Sequence, residues 1–286
     1  MRHEDNSAKY AIGRVFIIFE DIKQNCISES TGSMGDSENE AHVGKRPSFG
    51  GRSASSRLGS CEAEIVVVDG EIGAGKTTFM KVLAEHFRSI GKQVCVIFEP
   101  VEVWEKVGIL KKFYADKDRY CYEFQTYIVV TRLKRILESY REAPDADIYL
   151  IERSPFTDRH VFVEMLSDAM DDTQKIMYRD WWNVWLELMP FQINKYLYLK
   201  PDIDECMRRI EERHRVGEID QDKNKKQGVT KEYQHALRKQ HEKYYDQIRD
   251  QKIILDGAFS NGDFRIPGAN QARILDRAEK FILGHL

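Results

Sequence analysis

The segment from residue 70 to residue 77 has glycines and a lysine at the spacing of a phosphate-binding loop. It reads Gly-Glu-Ile-Gly-Ala-Gly-Lys-Thr and fits the pattern G-x-x-x-x-G-K-[ST]. Glycines let backbone N–H groups turn towards phosphate oxygens, the lysine reaches the β- and γ-phosphates, and the threonine hydroxyl ligates Mg²⁺. The alternative is a glycine-rich strand–helix turn without a ligand. We predict a nucleoside triphosphate site formed by Gly70, Ile72, Gly73, Ala74, Gly75, Lys76, Thr77 and Thr78.

Charged side chains follow three apolar runs that should be strands. Glu99 comes directly after one run, the pair Glu152-Arg153 after another, and Asp256 after a third. Ligands of a doubly wound sheet bind beyond the carboxyl ends of its strands. There Glu99 could accept the proton of an attacking hydroxyl, Glu152 could hold Mg²⁺ or its water, and Arg153 could neutralise charge during transfer. The alternatives are an exposed loop acid and a structural ion pair. We predict as catalytic residues Glu99, Arg153 and Lys76, as metal ligands Thr77 and Glu152, and as a further ATP contact Asp256.

A basic cluster follows the fourth apolar run. Arg209 and Arg213 share one helical face by their i, i+4 spacing, and Arg215 stands where that helix should end. Guanidinium groups placed in this way could close over triphosphate oxygens. The polar segment 217–228 that follows has the composition of a mobile lid. The alternative is a solvated helix face that pairs with acids of its own helix.

Strand-like and helix-like segments alternate along residues 63–286. Short β-branched runs predict strands at 64–69, 94–98, 147–151, 196–199 and 253–255. Apolar residues at helical spacing predict helices at 77–90, 118–141, 156–169, 173–188, 203–213, 230–249 and 270–283. The alternation predicts an α/β fold of the P-loop NTPase type, with a five-stranded parallel sheet, helices on both faces and an arginine-rich lid.

Composition limits the class of protein. The chain has 286 residues, of which 42% are hydrophobic and 32% charged, and its formal net charge is −3. These values suit a globular domain and give no sign of a surface that attracts nucleic acid or anionic membranes as a whole. We therefore expect small-molecule ligands, with no nucleic-acid partner and no membrane partner. The five cysteines lack C-x-x-C spacing, which argues against a zinc site and against a disulfide framework.

The first 62 residues differ in composition from the rest of the chain. Residues 28–60 are rich in Ser, Gly, Glu and Arg and cannot bury enough apolar surface to offset the entropy of ordering. We predict an N-terminal extension at 1–62, largely disordered and with a linker at 28–60, followed by a single P-loop domain at 63–286. No apolar run has the length of a membrane span. Because acidic residues stand near the N-terminus, we expect a cytosolic location rather than a mitochondrial one.

Five motifs occur in order along the predicted domain. They are Gly70–Thr78, Glu99-Pro100-Val101 with Trp104, Phe124-Gln125-Thr126-Tyr127, Glu152-Arg153-Ser154, and the arginine-rich lid that ends at Glu218. Taken together, they resemble the deoxynucleoside kinase family, which contains deoxycytidine, deoxyguanosine and mitochondrial thymidine kinases. The resemblance covers about residues 63 to 260. It implies an enzyme that transfers the γ-phosphate of ATP, with Mg²⁺, to the 5′-hydroxyl of a deoxynucleoside in nucleotide salvage.

The resemblance also assigns roles to residues around the nucleoside. It implies that Glu99 is the general base for the 5′-hydroxyl and that Arg153 holds this carboxylate in place. Gln125 would form paired hydrogen bonds with the base, since an amide offers both a donor and an acceptor. The remaining implied roles are aromatic neighbours of the base at Trp104, Phe124 and Phe162, a pair for the 3′-hydroxyl at Tyr114 and Glu218, and lid arginines on ATP at Arg209, Arg213 and Arg215.

Two further positions bear on which base is preferred. Arg132 and Asp158 match the polar pair of the deoxycytidine and deoxyguanosine kinases. Thymidine-preferring relatives tend to have smaller or apolar residues there, which leave room for the thymine methyl group. The resemblance therefore implies a preference for deoxycytidine and purine deoxynucleosides, with thymidine kept open as an acceptor. Without the family, the two residues would be an ordinary ion pair on a helix surface.

Three parts of the chain depart from the family pattern. Residues 1–62 have no counterpart, and the segment 219–227 is longer and more charged than usual. Pro155 follows the Glu-Arg-Ser motif and bears on the start of the helix that carries Asp158.

Two other activities are alternatives to the kinase, and the resemblance also has an implication for assembly. A nucleoside monophosphate kinase would need an extra cationic site for the phosphate of its acceptor. A regulatory or nucleic-acid-stimulated NTPase would need no small pocket for a base. The resemblance also implies a homodimer built from helices. Its apolar face, or alternatively internal core, would come from Tyr178, Trp181, Trp182, Trp185 and Leu186.

Overall fold

Five parallel strands organise the part of the chain that the structure describes. The computed structural model describes residues 63–189, 191–215, 217–219, 228–249, 251–256, 264 and 267–285. The strands lie in the order β2-β3-β1-β4-β5. They are β1 (Glu64–Gly70), β2 (Val94–Ile97), β3 (Ile148–Glu152), β4 (Lys195–Lys200) and β5 (Lys252–Asp256). The α/β fold and the five-stranded parallel sheet are therefore confirmed. The predicted extension at 1–62, with its linker at 28–60, lies outside the described residues.

The register of the sheet brings the ends of three strands together. Val68 in β1 is opposite Glu152 in β3, and Ile97 in β2 is opposite Ile151. The residues that follow these three strands therefore leave the sheet at one end, which is where ligands of doubly wound sheets bind. The glycine-rich loop and the two charged motifs all start there.

Eight α-helices of seven residues or more flank the strands in the described part of the chain. They are α1 (Lys76–Ser89), α2 (Val101–Val107), α3 (Ile109–Ala115), α4 (Lys117–Glu142), α5 (Asp172–Leu188), α6 (Ile203–Arg213), α7 (Lys231–Gln247) and α8 (Ala269–Ile282). Six of them begin and end close to the predicted positions, but α2 and α3 were not predicted. Each spans only two turns, and Gly108 separates them with a φ of +77°, so neither has enough length to show a helical period. None of the described helices is apolar over a length that would cross a membrane.

Helices cover both faces of the sheet because successive side chains of a strand point to opposite sides. On one face, Val66 and Leu150 belong to a core that α1 and α8 complete. On the other face, Val67 and Ile151 belong to a core that α4 and α7 complete. The prediction of helices on both faces is therefore correct, and the two cores fix the helices that carry the site.

The prediction of one continuous helix at 156–169 is wrong. The chain forms a short helical turn at Pro155–Thr157, a π-helix at Asp158–Val163 and a 3₁₀ turn at Ser167–Ala169. Ser154 caps the first turn, because its hydroxyl oxygen accepts a hydrogen bond from the backbone N–H of Thr157 at 3.1 Å. Pro155 thus opens the turn and does not break it. π-Helices are rare and occur mostly at functional sites; this one accommodates the buried polar contacts of Asp158, which apolar spacing does not report.

Candidate active site

The glycine-rich loop between β1 and α1 packs closely against α6. Gly73 has a φ of +82°, and a Cβ atom there would lie 2.4 Å from the carbonyl oxygen of Cys206. Any side chain at this position would therefore clash as well as strain the backbone. Ile72 is also held by Gln234 of α7, which accepts from its N–H at 3.3 Å and donates to its carbonyl oxygen at 2.5 Å. The loop is thus fixed by two helices beyond the sheet.

Lys76 and Thr77 begin α1 beside the carboxylate of Glu152. Lys76 Nζ lies 3.5 Å and 3.1 Å from the carbonyl oxygens of Gly70 and Glu71. Thr77 Oγ1 lies 3.0 Å from each carboxylate oxygen of Glu152. Mg²⁺ in such sites takes one or two oxygen ligands from the protein and the rest from waters and substrate phosphates. A hydroxyl next to a carboxylate therefore fits the predicted metal ligands.

Burial changes the proton affinity of this cluster. Burial, together with the positive charge of Arg153, lowers the pKa of Lys76 to about 8. Burial, together with the negative charge of Glu99, raises the pKa of Glu152. Lys76 and Glu152 therefore each lack part of the opposite charge that would stabilise their ionised forms. An anionic phosphate would provide it for Lys76, and a divalent cation would provide it for Glu152.

Glu99 stands beyond β2 between two arginines. Its Oε1 accepts a hydrogen bond from Arg132 Nη2 at 2.9 Å and lies 3.3 Å from Arg153 Nε. Burial alone would raise the pKa of Glu99, but Arg153 and Arg132 outweigh it and lower the pKa to about 2. The group is therefore ionised at neutral pH. Because both contacts with described residues involve Oε1, Oε2 is the oxygen available to a substrate hydroxyl.

Arg153 has an uncommon backbone conformation for a residue with a side chain. Its φ is +60°, which costs about 1–3 kcal/mol and persists mainly at functional sites. Its backbone N–H donates to the carbonyl oxygen of Val68 at 3.1 Å. Its guanidinium lies 4.8 Å above the ring centre of Phe162. This conformation turns the side chain towards Glu99.

Gln125 is a buried amide with no partner inside the described part of the chain. It is fully buried on α4, and neither its Oε1 nor its Nε2 has a hydrogen-bond partner there. Such groups cost about 1–3 kcal/mol each when left unsatisfied. Aromatic rings lie nearby, since Phe124 stacks on Phe113 at 4.3 Å and meets Trp104 edge-on at 6.1 Å. An apolar pocket with one donor and one acceptor suits a flat heterocyclic base.

Arg132 connects this pocket to Glu99. Its Nε and Nη2 lie 2.7 Å and 3.1 Å from the two carboxylate oxygens of Asp158. Its Nη1 donates to the carbonyl oxygen of Glu152 at 2.7 Å. Arg132 and Asp158 are both buried, so the alternative of a surface ion pair is wrong. Burial raises the pKa of Asp158 to about 6 although Arg132 opposes the shift.

The arginines at the end of α6 have different partners. Arg209 Nη1 donates to the carbonyl oxygen of Ala74 at 3.2 Å, so it contacts the glycine-rich loop. Arg213 Nη2 and Arg215 Nη1 lie 2.6 Å and 3.1 Å from the carboxylate of Glu218. Glu218 is buried, and the described hydrogen bonds of its carboxylate are with these arginines. Arg209 also pairs with Glu205 of its own helix at 2.8 Å, so the alternative of pairing within the helix holds for Arg209, whereas Arg213 and Arg215 pair with Glu218 beyond the helix.

Both ends of the lid segment are attached to the rest of the site. The backbone N–H of Val229 donates to the carbonyl oxygen of Glu218 at 2.9 Å, and that of Gly228 donates to the carbonyl oxygen of Tyr114 at 3.4 Å. A Cβ atom on Gly217 would lie 3.3 Å from the ring of Tyr114, so the backbone packs on that ring. Residues 220–227 lie outside the described residues.

A cavity of about 250 Å³ brings most of the predicted residues together. They are Ile72, Gly73, Lys76, Thr77, Glu99, Trp104, Tyr114, Phe124, Gln125, Arg132, Glu152, Arg153, Asp158, Phe162, Arg213, Arg215 and Glu218. Gly70, Ala74, Gly75, Thr78 and Arg209 belong to the loop or contact it but do not line the cavity. Asp256 ends β5, and its side chain lies outside the described residues.

Seven lining residues were not predicted as site residues: Phe98, Val101, Glu102, Leu110, Phe113, Ile128 and Tyr233. Phe113 lies on α3, whose two turns were not predicted. Ile128 follows Gln125 by one helical turn, and this i, i+3 spacing on a predicted helix is a signal that could have found it. Tyr233 begins α7, and no local spacing relates it to the pocket.

Comparisons with known proteins agree with this geometry. A family model described as deoxynucleoside kinase matches residues 66–283. The probable deoxycytidine kinase of Fowlpox virus (strain NVSL) is 28% identical over 221 residues, which cover 76% of this chain and 87% of that protein. Human deoxycytidine kinase is 28% identical over 228 residues, with 69% of this chain and 79% of that protein covered. Human mitochondrial thymidine kinase 2 is 28% identical over 185 residues, which cover 63% of each chain.

Proposed function

The chain belongs to the deoxynucleoside kinase family, and we propose that its preferred acceptors are deoxycytidine and purine deoxynucleosides rather than thymidine. Its activity is ATP-dependent phosphorylation of a deoxynucleoside, which replaces the alternatives of a monophosphate kinase and a regulatory NTPase. The observation that carries the preference is the buried ion pair of Arg132 and Asp158 in the cavity that also holds the unpartnered amide of Gln125.

The preference follows from the hydrogen-bonding groups of the bases. Cytosine and adenine each present an exocyclic amino donor, whereas thymine presents a carbonyl acceptor and a methyl group. Asp158 offers an acceptor to such an amino group. The two bonds from Arg132 hold Asp158 in place, and a charged pair is a poor neighbour for a methyl group. Gln125 supplies a donor and an acceptor to any of the bases.

We propose that Glu99 accepts the proton of the 5′-hydroxyl as that oxygen attacks the γ-phosphorus in line. A pKa of about 2 makes Glu99 a weak base. Phosphoryl transfer passes through a loose transition state in most analyses, so the proton can leave late, and orienting the hydroxyl is the larger contribution. Arg132 and Arg153 fix the carboxylate for this purpose, and no covalent enzyme intermediate is needed.

Positive groups at the other end of the cavity would stabilise the transferring phosphate. Lys76 and the lid arginines Arg213 and Arg215 line the cavity, and each can donate to phosphate oxygens. Thr77 and Glu152 would hold Mg²⁺, which supplies positive charge to the β- and γ-phosphates when it is bound with ATP.

The experiment that tests the proposal is phosphate transfer from Mg-ATP to the four deoxynucleosides by the purified chain. We expect kcat/KM for deoxycytidine, deoxyadenosine or deoxyguanosine to exceed that for thymidine by about tenfold or more, since one mismatched base contact is worth about 1–3 kcal/mol. Transfer mainly to thymidine would contradict the preference and leave the activity intact. Deoxycytidine monophosphate serves as a parallel acceptor, and efficient transfer to it alone would contradict the nucleoside as acceptor.

We also propose a homodimer that forms through α5. Five large apolar side chains on this helix are exposed: Ile176, Met177, Trp181, Val184 and Leu186. Tyr178 and Trp182 are instead buried in the internal core, against which Trp185 also packs. The face predicted from the sequence is therefore divided between core and surface. Exposed apolar clusters of this kind mark protein interfaces.

Replacement of Trp181 by glutamate should convert the dimer to a monomer. The side chain is 53% exposed, so the change places a charge in the interface without disturbing the internal core. Sedimentation velocity over a range of protein concentrations measures the mass. Ile90→Glu is the matched control, since Ile90 is 47% exposed but lies outside α5. A wild-type protein that sediments at the mass of one chain would contradict the proposal.

The cytosolic location remains a prediction from the sequence. Cell fractionation of the full chain would test it, and recovery of the protein with mitochondria would contradict it.

A further inference from the structure

Arg153 has a buried neighbour that the proposed mechanism does not use. His241 on α7 is fully buried, and its Nε2 lies 3.3 Å from Arg153 Nη1. Its Nδ1 lies 2.9 Å from the carbonyl oxygen of Leu237. A carbonyl oxygen can only accept, so Nδ1 carries the proton and Nε2 presents a lone pair to the guanidinium. Burial and the positive charge of Arg153 keep the pKa of His241 well below its usual range, and the ring is therefore neutral.

The imidazole ring is fixed on both sides. It stacks on Tyr198 of β4 with ring centres 5.4 Å apart and planes 7° from parallel. It also meets Phe162 edge-on at 6.3 Å. The hydroxyl of Tyr198 donates to Glu71 in the glycine-rich loop at 2.8 Å. His241 therefore cannot turn away from Arg153 without disturbing β4 and the loop.

The helix that carries His241 is attached to the site at three other points. Gln234 bonds to the backbone of Ile72. Arg238 Nε donates to the Glu71 carboxylate at 2.8 Å. The hydroxyl of Tyr245 donates to Asp69, in β1, at 2.9 Å. Gln234, Arg238, His241 and Tyr245 lie at spacings of three and four residues, so they share one face of α7. This polar face holds the helix in register with the loop and β1.

We propose that His241 is a positioning residue for phosphoryl transfer, acting as the hydrogen-bond acceptor that aligns the Arg153 guanidinium. The other acceptor near Nη1 is Asp69, but its Oδ1 is 4.0 Å away, which is too far for a hydrogen bond. With Nη1 held by His241, Nε faces Glu99 Oε1. The inference rests on the proposed roles of Glu99 and Arg153.

A neutral acceptor suits this task better than a carboxylate would. A second carboxylate beside Arg153 would compensate its charge and compete with Glu99 for it. The neutral imidazole orients the guanidinium without adding a further negative charge to that of Asp69, whose Oδ1 lies 4.0 Å from Nη1. Arg153 follows the last residue of β3 with a left-handed backbone, and side-chain contacts such as the one with His241 fix where its guanidinium points.

Three substitutions of His241 separate positioning from packing. His241→Phe keeps a ring and removes the acceptor, and we expect kcat to fall about 10- to 100-fold with the KM for the deoxynucleoside changed by less than about twofold. His241→Gln can place its amide oxygen where Nε2 stands and should recover most of the turnover. His241→Asn has a shorter side chain and should not. If the phenylalanine variant fails to fold, the comparison of kcat between His241→Gln and His241→Asn tests the proposal instead.

A double-mutant cycle with Arg153→Met then shows whether His241 acts through Arg153. In that background His241→Phe should lower kcat by less than about twofold, since the partner is already gone. His160→Phe is the control, because His160 stacks on Tyr244 at 5.3 Å and does not line the cavity. Equal losses in both backgrounds, or a Gln variant as slow as Phe, would overturn the inference. Normal turnover of Arg153→Met alone would instead refute the proposed role of Arg153.

Discussion

Replacement of Glu99 by glutamine is expected to lower kcat by about 10²–10⁴-fold while the Kd for the deoxynucleoside changes little. Glutamine has the same shape, and its amide oxygen can still accept from Arg132 and Arg153, so the local structure should persist. What is lost is the negative charge and the ability to take the proton of the 5′-hydroxyl. Steady-state kinetics gives kcat, and isothermal titration with deoxycytidine gives Kd.

Glu138→Gln is a matched control for the change of charge. Glu138 is a half-buried acid on α4 that pairs with Lys134 at 3.8 Å. Turnover of Glu99→Gln close to that of this control would rule out Glu99 as the base. The pH dependence adds a second check. Because the pKa of Glu99 is lowered to about 2, the carboxylate stays ionised from pH 8 to pH 5, and its protonation should cause no loss of kcat over that range.

The double variant Arg132→Met, Asp158→Ala is expected to shift acceptor preference towards thymidine. We expect the ratio of kcat/KM for thymidine to that for deoxycytidine to rise by about 100-fold, because two base-selective polar groups are removed, at about 1–3 kcal/mol each. The variant also opens apolar space for the thymine methyl group. Parallel assays of both acceptors at equal ATP concentration give the ratio, and an unchanged ratio would refute the proposed basis of specificity.

The two residues have to be changed together. Asp158→Ala alone leaves the buried Arg132 without the carboxylate at 2.7 Å and with Glu99 Oε1 at 2.9 Å as its remaining ion-pair partner, and breaking a buried ion pair costs about 3–5 kcal/mol. The single variant should therefore unfold at a lower temperature than the double variant, as differential scanning fluorimetry can show. Since Arg132 also donates to Glu99, the double variant should lose some kcat with every acceptor, and this loss cancels in the ratio.

Local sequence patterns predicted the strands and helices that are long enough to show a regular spacing of apolar residues. The strands are short, largely apolar runs, and the long helix α4 shows many turns, so both were found from the sequence. The helices α2 and α3 were missed because each has two turns on either side of Gly108. The π-helix was missed because apolar spacing does not distinguish it from an α-helix, and its first residue, Asp158, bonds to Arg132, which lies 26 residues away in the chain.

The residues of the site fall into the same two groups, those that a local sequence pattern predicts and those that it does not. The glycine-rich loop has a local spacing, Glu99 is placed by the strand before it, and Glu152 is the last residue of β3. The proposed role of Gln125 in binding the base came only from family resemblance, although its unpartnered amide is a clear physical signal once the fold is known. His241 could not be predicted at all, because its neighbours come from β4, the π-helix and the end of β3.

The two attached ends of the lid segment affect which insertions and deletions this enzyme can tolerate during evolution. Glu218 and Val229 are joined by a backbone hydrogen bond of 2.9 Å, so the chain between them leaves and returns at fixed points. The entropy of closing a loop grows slowly, by about 0.6 kcal/mol for each doubling of its length. Insertions and deletions between residues 219 and 228 should therefore accumulate among homologues without moving the glycine-rich loop or the base pocket.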